Sequence, residues 1–356
     1  MKPDDMIPNF KPISLLFLFV ILLVACRKEN NDQITDIVDI REIKKENGMI
    51  LIPSGSFFMG TNESEAYAVE KPAVKRQVTG FWMDETEVTN AQFSEFVKAT
   101  GYVTVAERPV DWEELKKQLP PDSPKPKDED LQPGSLVFLP PSHAVPLHDI
   151  SQWWQWVTGA NWKHPEGPGS SIEGREDHPV VHVAYEDAEA YAKWAGKRLP
   201  TETEWEYAAK AARVHQRYAW GDDFRPAGKF MANTFQGKFP NNNIAEDGFS
   251  GTSPVKSFPP NDFGLYDMIG NVWELTSDWY DAIKLNRIAG NAPPLDSSIN
   301  LCYNPSNPYA MEKVIKGGSY LCADDYCINY RPSARHSQAY DSGTSNIGFR
   351  CVKDFE

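Results

Sequence analysis

Residues 316–351 read KGGSYLCADDYCINYRPSARHSQAYDSGTSNIGFRC, and within them Cys322 and Cys327 stand five positions apart. Residues i and i+5 lie on different faces of a helix and on opposite faces of a strand, so the two sulfurs converge only if CADDYC is a loop or turn. Zinc fits poorly, because a structural zinc takes four ligands in tighter C-x2-C groupings and no partner pair is present. Two thiolates alone suit a soft ion of low coordination number, Cu(I) above all. A structural disulfide suits them equally well. The spacing by itself leaves both readings open.

The compartment bears on that choice, and it is set at the other end of the chain. Residues 13–26, ISLLFLFVILLVAC, form an apolar run preceded by Lys2 and Lys11. The run is short for a membrane span and of the length of a secretory h-region. Its end, LVAC, resembles the lipobox of bacterial lipoproteins, in which Cys26 is acylated after removal of residues 1–25 and holds the chain to a membrane through lipid. The expected location is therefore outside the cytoplasm, anchored at the periplasmic side or the cell surface of a bacterium. Such a place is oxidising, and Cys302, Cys322, Cys327 and Cys351 would there be able to form two disulfides in any of three connectivities.

Removing 25 residues from 356 leaves 356 − 25 = 331, enough for one large domain. The formal net charge of −14, with no offsetting basic stripe, excludes nucleic acid as a partner. Residues 26–46 are polar and densely charged and read as a tether, with the domain running from 47 to 356. Helices are expected in TNAQFSEFVKATG (89–101), closed by Gly101, in YEDAEAYAKWAG (185–196), and in TETEWEYAAKAA (201–212), where Thr201 and Glu204 have capping-box spacing. A Pro-rich stretch, about 113–148, reads as an irregular surface excursion. His178 and His182 are four apart, but Pro179 and the valines place them in extended chain, roughly 13 Å from one another and unable to share an ion. The class is α+β, poor in regular structure, so something beyond ladders and helices must fix its loops.

The segment from Lys316 resembles the active-site segment of the formylglycine-generating enzyme family, the sulfatase-modifying oxidases. GANWKHPEGPGS (159–170), DHPVVHVAYEDAEAYAKWAGKRLPTETEWEYAAKAA (177–212), ANTFQGKFPNNNIAEDGFSGTSPVKSFPPNDFGLYDMIGNVWELTSDWY (232–280) and the opening MILIPSGSFFMG (49–60) are similar to that family in the same order. The resemblance implies a single domain of that fold, related to the C-type lectins and stabilised by calcium. It implies a reaction in which an unfolded sulfatase presents a C-x-P-x-R segment whose cysteine is oxidised by O2 to Cα-formylglycine. By the same resemblance Cys322 and Cys327 are copper ligands, Ser319 lies beside the reacting sulfur, and Trp273, Arg335 and Asn346 wall the pocket. Asp111 and Glu87 fall at acidic positions of the peptide groove. Two calcium sites are implied: one from the side chains of Asn233 and Asp247 with the carbonyls of Thr234 and Phe249, the other from Asp267 and Glu274 with the carbonyls of Met268, Gly270 and Val272. Asp267 departs from the Asn common there. Ala192, Ala209 and Pro332 stand where some members carry bridged cysteines, so those disulfides are absent and Cys302 is left as a possible mate for Cys351. A non-catalytic binding or scaffold lipoprotein of the same fold, with Cys322 and Cys327 as a structural disulfide, is the alternative.

Overall fold

Two four-stranded sheets carry the molecule, and the first joins the two ends of the domain. Its strands run Lys45–Glu46, Met49–Ile52, Phe81–Asp84 and Val352–Asp354, side by side in that order and antiparallel throughout. The computed structural model describes residues 43–355 apart from 212, 214–215 and 297–300. The leader, Cys26 and the tether as far as residue 42 lie outside the described residues. The domain starts slightly earlier than its composition suggests. Asn47 and Gly48, at φ +51° and +75°, make the two-residue turn that a hairpin's twist favours, so Lys45–Glu46 is the first arm of a hairpin.

The second sheet holds Trp273–Trp279 in its middle, antiparallel to Glu312–Lys316 and parallel to Ile347–Gly348. Arg335–Ala339 completes it on the far side of Glu312–Lys316. Residues 317–334, which contain both cysteines of interest, are thus one long loop between two neighbouring antiparallel strands. Its two ends are fixed by the Lys316–Arg335 pairing.

The expected helices form and end where their caps dictate. Asn90–Thr100 begins at Thr89, whose side chain accepts from Gln92 N, and stops at Gly101 with φ +68°. Tyr185–Trp194 is followed by Gly196 at φ +67°. Glu202–Lys210 carries the Thr201/Glu204 capping box. Their apolar faces meet in an aromatic cluster where Phe93 lies 5.3 Å from Phe96 and Tyr191 lies 5.4 Å from Phe349. All four rings are buried, each worth roughly 1.5–3 kcal/mol by the area it removes from water.

The Pro-rich stretch is not irregular throughout. Gly134–Phe138 forms a strand, antiparallel to Trp154–Thr158. Leu136 bridges to Thr344, the hydroxyl of Ser135 lies 2.9 Å from Gly343 O, and Phe138 N donates to Ser345 Oγ. Prolines flank this run but do not interrupt it, so its alternating side chains were free to pair. The excursion therefore returns to brace residues 343–346. His182 backs the same brace, fully buried at φ +60°, with Nε2 donating to Pro165 O and Nδ1 2.8 Å from Ser135 Oγ. It is structural, as its extended setting predicts.

Candidate active site

The cysteine loop is shaped by its first two residues. Gly317 and Gly318 have φ +92° and +75°, and a Cβ on Gly318 would stand 3.2 Å from Cys322 Sγ and 3.1 Å from Asn329 O. Only glycine combines that backbone with that proximity. The turn so formed brings the two thiols into hydrogen-bonding contact without a disulfide between them.

The pair is electrostatically asymmetric. Burial, then the hydrogen bond to Cys327, pushes the Cys322 thiol up, whereas that same hydrogen bond, received from Cys322, holds Cys327 below the usual thiol range. Backbone and side-chain hydrogen bonds from Asn329 support the Cys327 thiolate. Cys322 is fully buried and Cys327 is half-buried, so the more acidic thiol is the one nearer solvent.

Ser319 completes the inner shell. Its Oγ accepts from Asn346 Nδ2 at 2.9 Å and from Leu321 N at 3.3 Å, leaving its own proton for the Cys322 sulfur, with which it is hydrogen-bonded. Asn346 is in turn held by Thr344 Oγ1 at 2.7 Å. Trp273 enters this network through its backbone, N donating to Asn346 O at 2.9 Å, while its ring packs 5.9 Å from His336.

Two placements differ from expectation. Arg335 does not reach the cysteines: its Nε donates to Glu202 Oε1 at 2.6 Å and its Nη1 to Asp281 O at 2.7 Å, in a fully buried ion pair. A guanidinium without water must be paired where it lies, and Glu202 pairs it. Glu87 is wholly buried, with Oε1 accepting from Asn271 Nδ2, so it cannot meet a substrate arginine at the surface. Burial and the charge of Asp267 push its carboxyl up. Asp111 is exposed, and one carboxylate oxygen accepts from Glu113 N at 2.8 Å to cap the short helix Trp112–Leu115.

Other residues of this region were not singled out by sequence. Arg331 makes a bidentate, buried pair with Glu70 at 2.7 and 2.8 Å while its Nε donates to Ile328 O, so the loop is clamped from behind. The only signal in the sequence was the loop's "YRPS", and nothing there named Glu70, 261 positions away. Tyr326 stacks on Phe239 with ring centroids 4.3 Å apart, fixing the residue before Cys327.

The fit of the residues to metals can be tested. Two adjacent sulfurs, one biased to thiolate, suit a cuprous ion. Among the described residues no three His, Cys, Asp or Glu side chains converge on one point, in keeping with a two-sulfur site and with oxygen sites that depend on backbone carbonyls. The first oxygen site fits, since Asn233 is buried and its Oδ1 has no hydrogen-bond partner, with the Asp247 carboxylate beside Thr234 N at 3.0 Å. In the second, Asp267 and Glu274 are buried, Glu274 is held by Arg350 at 2.7 Å, and Gly270 has φ +77° with no room for a Cβ, 2.2 Å from Asn233 O. Carboxylates there outnumber the one guanidinium. A hard divalent cation would balance them.

The sulfatase-modifying factor enzyme 1-like domain family matches residues 36–355. The chain is 48% identical over 307 residues to the formylglycine-generating enzyme of Mycobacterium tuberculosis, covering 86% of this chain and 97% of that one. It is 44% identical over 308 residues to the formylglycine-generating enzyme of Mus musculus, covering 86% and 75%. Among solved structures, PvdO from Pseudomonas aeruginosa matches with a TM-score of 0.51 at 25% identity, covering 86% and 94%. With the thiol pair, its serine and the matching domain all in one chain, the protein belongs to the formylglycine-generating enzyme family of oxidases.

Proposed function

We propose that the chain converts the cysteine of a C-x-P-x-R segment in an unfolded sulfatase to Cα-formylglycine, using O2 and a Cu(I) ion held by Cys322 and Cys327. The observation that carries this reading is the contact of two free thiols in a glycine-shaped turn, one of them biased to thiolate. Bound there, copper supplies the sulfur affinity and oxygen chemistry that no side chain has. The protein's own residues do the rest. Cys327 offers a thiolate near the surface, and Cys322 gives up its proton on ligation. Ser319, oriented by Asn346, holds its hydroxyl proton toward the sulfurs. The substrate's CH2–SH group loses two electrons, its sulfur leaves as sulfide, and a carbonyl oxygen takes its place.

Asp111 is the carboxylate left to read the substrate arginine, since an Arg–carboxylate pair fixes geometry as well as charge. Asp111→Asn should raise the barrier with the Arg-containing peptide by roughly 1–3 kcal/mol and hardly affect a peptide with Ala in that place. Equal losses on both would assign Asp111 to the helix cap alone. The calcium sites are those implied above for Asn233, Thr234, Asp247 and Phe249, and for Asp267, Met268, Gly270, Val272 and Glu274. They are supported by the unpartnered Asn233 oxygen and the excess of buried carboxylates.

The reading of LVAC places the chain outside the cytoplasm, lipid-anchored through Cys26; incorporation of a palmitate analogue, lost in Cys26→Ser, is the check. The activity itself is tested by mixing the purified chain, Cu(I) and a C-x-P-x-R peptide in air and measuring the product's mass. An unchanged peptide from a copper-loaded chain overturns the reading and leaves a binding protein.

A further inference from the structure

Asn271 joins the two loops that the calcium reading assigns. It is fully buried at φ +53°, and its side-chain amide is pinned in one orientation by the backbone, with Oδ1 accepting from Ser253 N at 2.9 Å. From that fixed position Oδ1 also accepts from Asn233 Nδ2 at 3.2 Å, and Nδ2 donates to Glu87 Oε1 at 3.1 Å. Asn233 is pinned too, its Nδ2 donating to Gly251 O at 2.9 Å. The far oxygens of both neighbours are left over. Asn233 Oδ1 and Glu87 Oε2 are buried and accept no hydrogen bond, and the nearest cation to Glu87 Oε2 is Arg350 Nη2 at 4.0 Å.

One amide therefore holds, on its two ends, the two buried acceptors that lack partners. Asn233 Oδ1 belongs to the first cation loop. Glu87 shares with Asp267 and Glu274 the field of the single Arg350, so its charge falls on the second loop. Burying an acceptor with no partner is costly, and a cation in reach removes the cost. Ordering Asn233 around one ion fixes the amide that orients Glu87 toward the other. The ordering needed at the second loop is then already made when its ion arrives.

We propose that the two cation sites bind cooperatively, coupled through the side chain of Asn271, with Glu87 as the carboxylate it orients beside the second site. Glu87 thereby becomes a residue of the cation region, not of the substrate groove. The proposal rests on the calcium reading above. It has a consequence for the active site, because Asn271 O accepts from Tyr320 N at 2.9 Å and Gly270 N donates to Gly317 O at 3.0 Å, on either side of the glycine turn's serine.

Calcium titration calorimetry on the full chain tests it, with copper absent and no turnover measured. Asp247→Asn, which cripples the first site, should weaken the second about tenfold. In an Asn271→Gly background, which keeps the positive φ but removes the amide, the same change should weaken the second site less than twofold. Glu87→Gln should weaken the second site at least fivefold. An equal loss from Asp247→Asn in both backgrounds, or none in either, overturns the coupling. Unaltered affinity in Glu87→Gln overturns the assignment of Glu87, as does a lower melting temperature than the parent in chelator, which would mark Glu87 as a fold residue only. Absence of any calcium binding by the parent chain overturns the underlying reading and this inference together.

Discussion

The cysteine loop at 317–334 and the C-terminal strand Val352–Asp354 both bring buried sulfur into the core, and they treat it in opposite ways. Cys322 finds a second thiol, a serine hydroxyl and a route toward solvent through Cys327. Cys351 is fully buried beside Asp84, whose carboxylate accepts its backbone N–H at 2.9 Å, and burial pushes its thiol up. Cys302, half-buried beside Glu312 and Asp281, is not its mate. Reactivity thus follows from partners and exposure, not from the presence of sulfur. A thiol beside a carboxylate stays protonated, and a thiol beside another thiol need not.

The largest expected effect separates the two environments outright. Cys327→Ala should abolish turnover while leaving the melting temperature of the copper-free chain within a few degrees of the parent. A rate within tenfold of the parent would break the paired-thiol reading. Next is the clamp behind the loop: Arg331→Met leaves Glu70 buried without its cation and should cost about 3–5 kcal/mol in denaturant unfolding. If the loss is under 1 kcal/mol, the loop is not held by this pair, and its contrast with the strand-anchored Cys351 weakens.

The third effect concerns the brace that carries Asn346. Burial pushes the His182 imidazole down to about 4, so the folded state keeps it neutral where the unfolded chain, near 6.5, has taken up a proton. Between those values the unfolded state binds more protons, and stability falls as pH falls, by about 3 kcal/mol across the window. Denaturation midpoints measured from pH 7 to 4 should show this slope, and His182→Asn, suited to the positive φ, should flatten it. An unflattened slope assigns the acid sensitivity to other groups. The smallest effect is at the inert sulfur: Cys351→Ala should cost about 1 kcal/mol of stability and leave kcat and KM unchanged. A tenfold loss of kcat there would erase the distinction between the two regions.

Much of the fold was legible because its signals are local. Thr201 and Glu204, three apart, announce a helix start, and Gly101 announces an end, since a cap needs only residues within one turn. Gly134–Phe138 was less legible, because prolines on both sides masked a strand whose partner, Trp154–Thr158, comes after a long loop. In the site, the turn requirement of CADDYC followed from geometry alone, and the roles of Ser319 and Asn346 from resemblance. Glu87 was misplaced for a physical reason. A glutamate between threonine and valine looks like a surface residue, and nothing nearby shows that Asn271, 184 positions on, holds it under the core.

The sequence by itself determined the α+β class, the helix ends, the need for a turn at the two cysteines and the family, each fixed by spacing within a few residues or by the order of whole blocks. Only the tertiary structure decided which carboxylates are buried, that Arg335 is spent on Glu202, that Arg331 clamps the loop to Glu70, and which of the four described cysteines is acidic. Those outcomes depend on the desolvation and charge around each group. Both are sums over neighbours brought together by folding, and no stretch of sequence contains them.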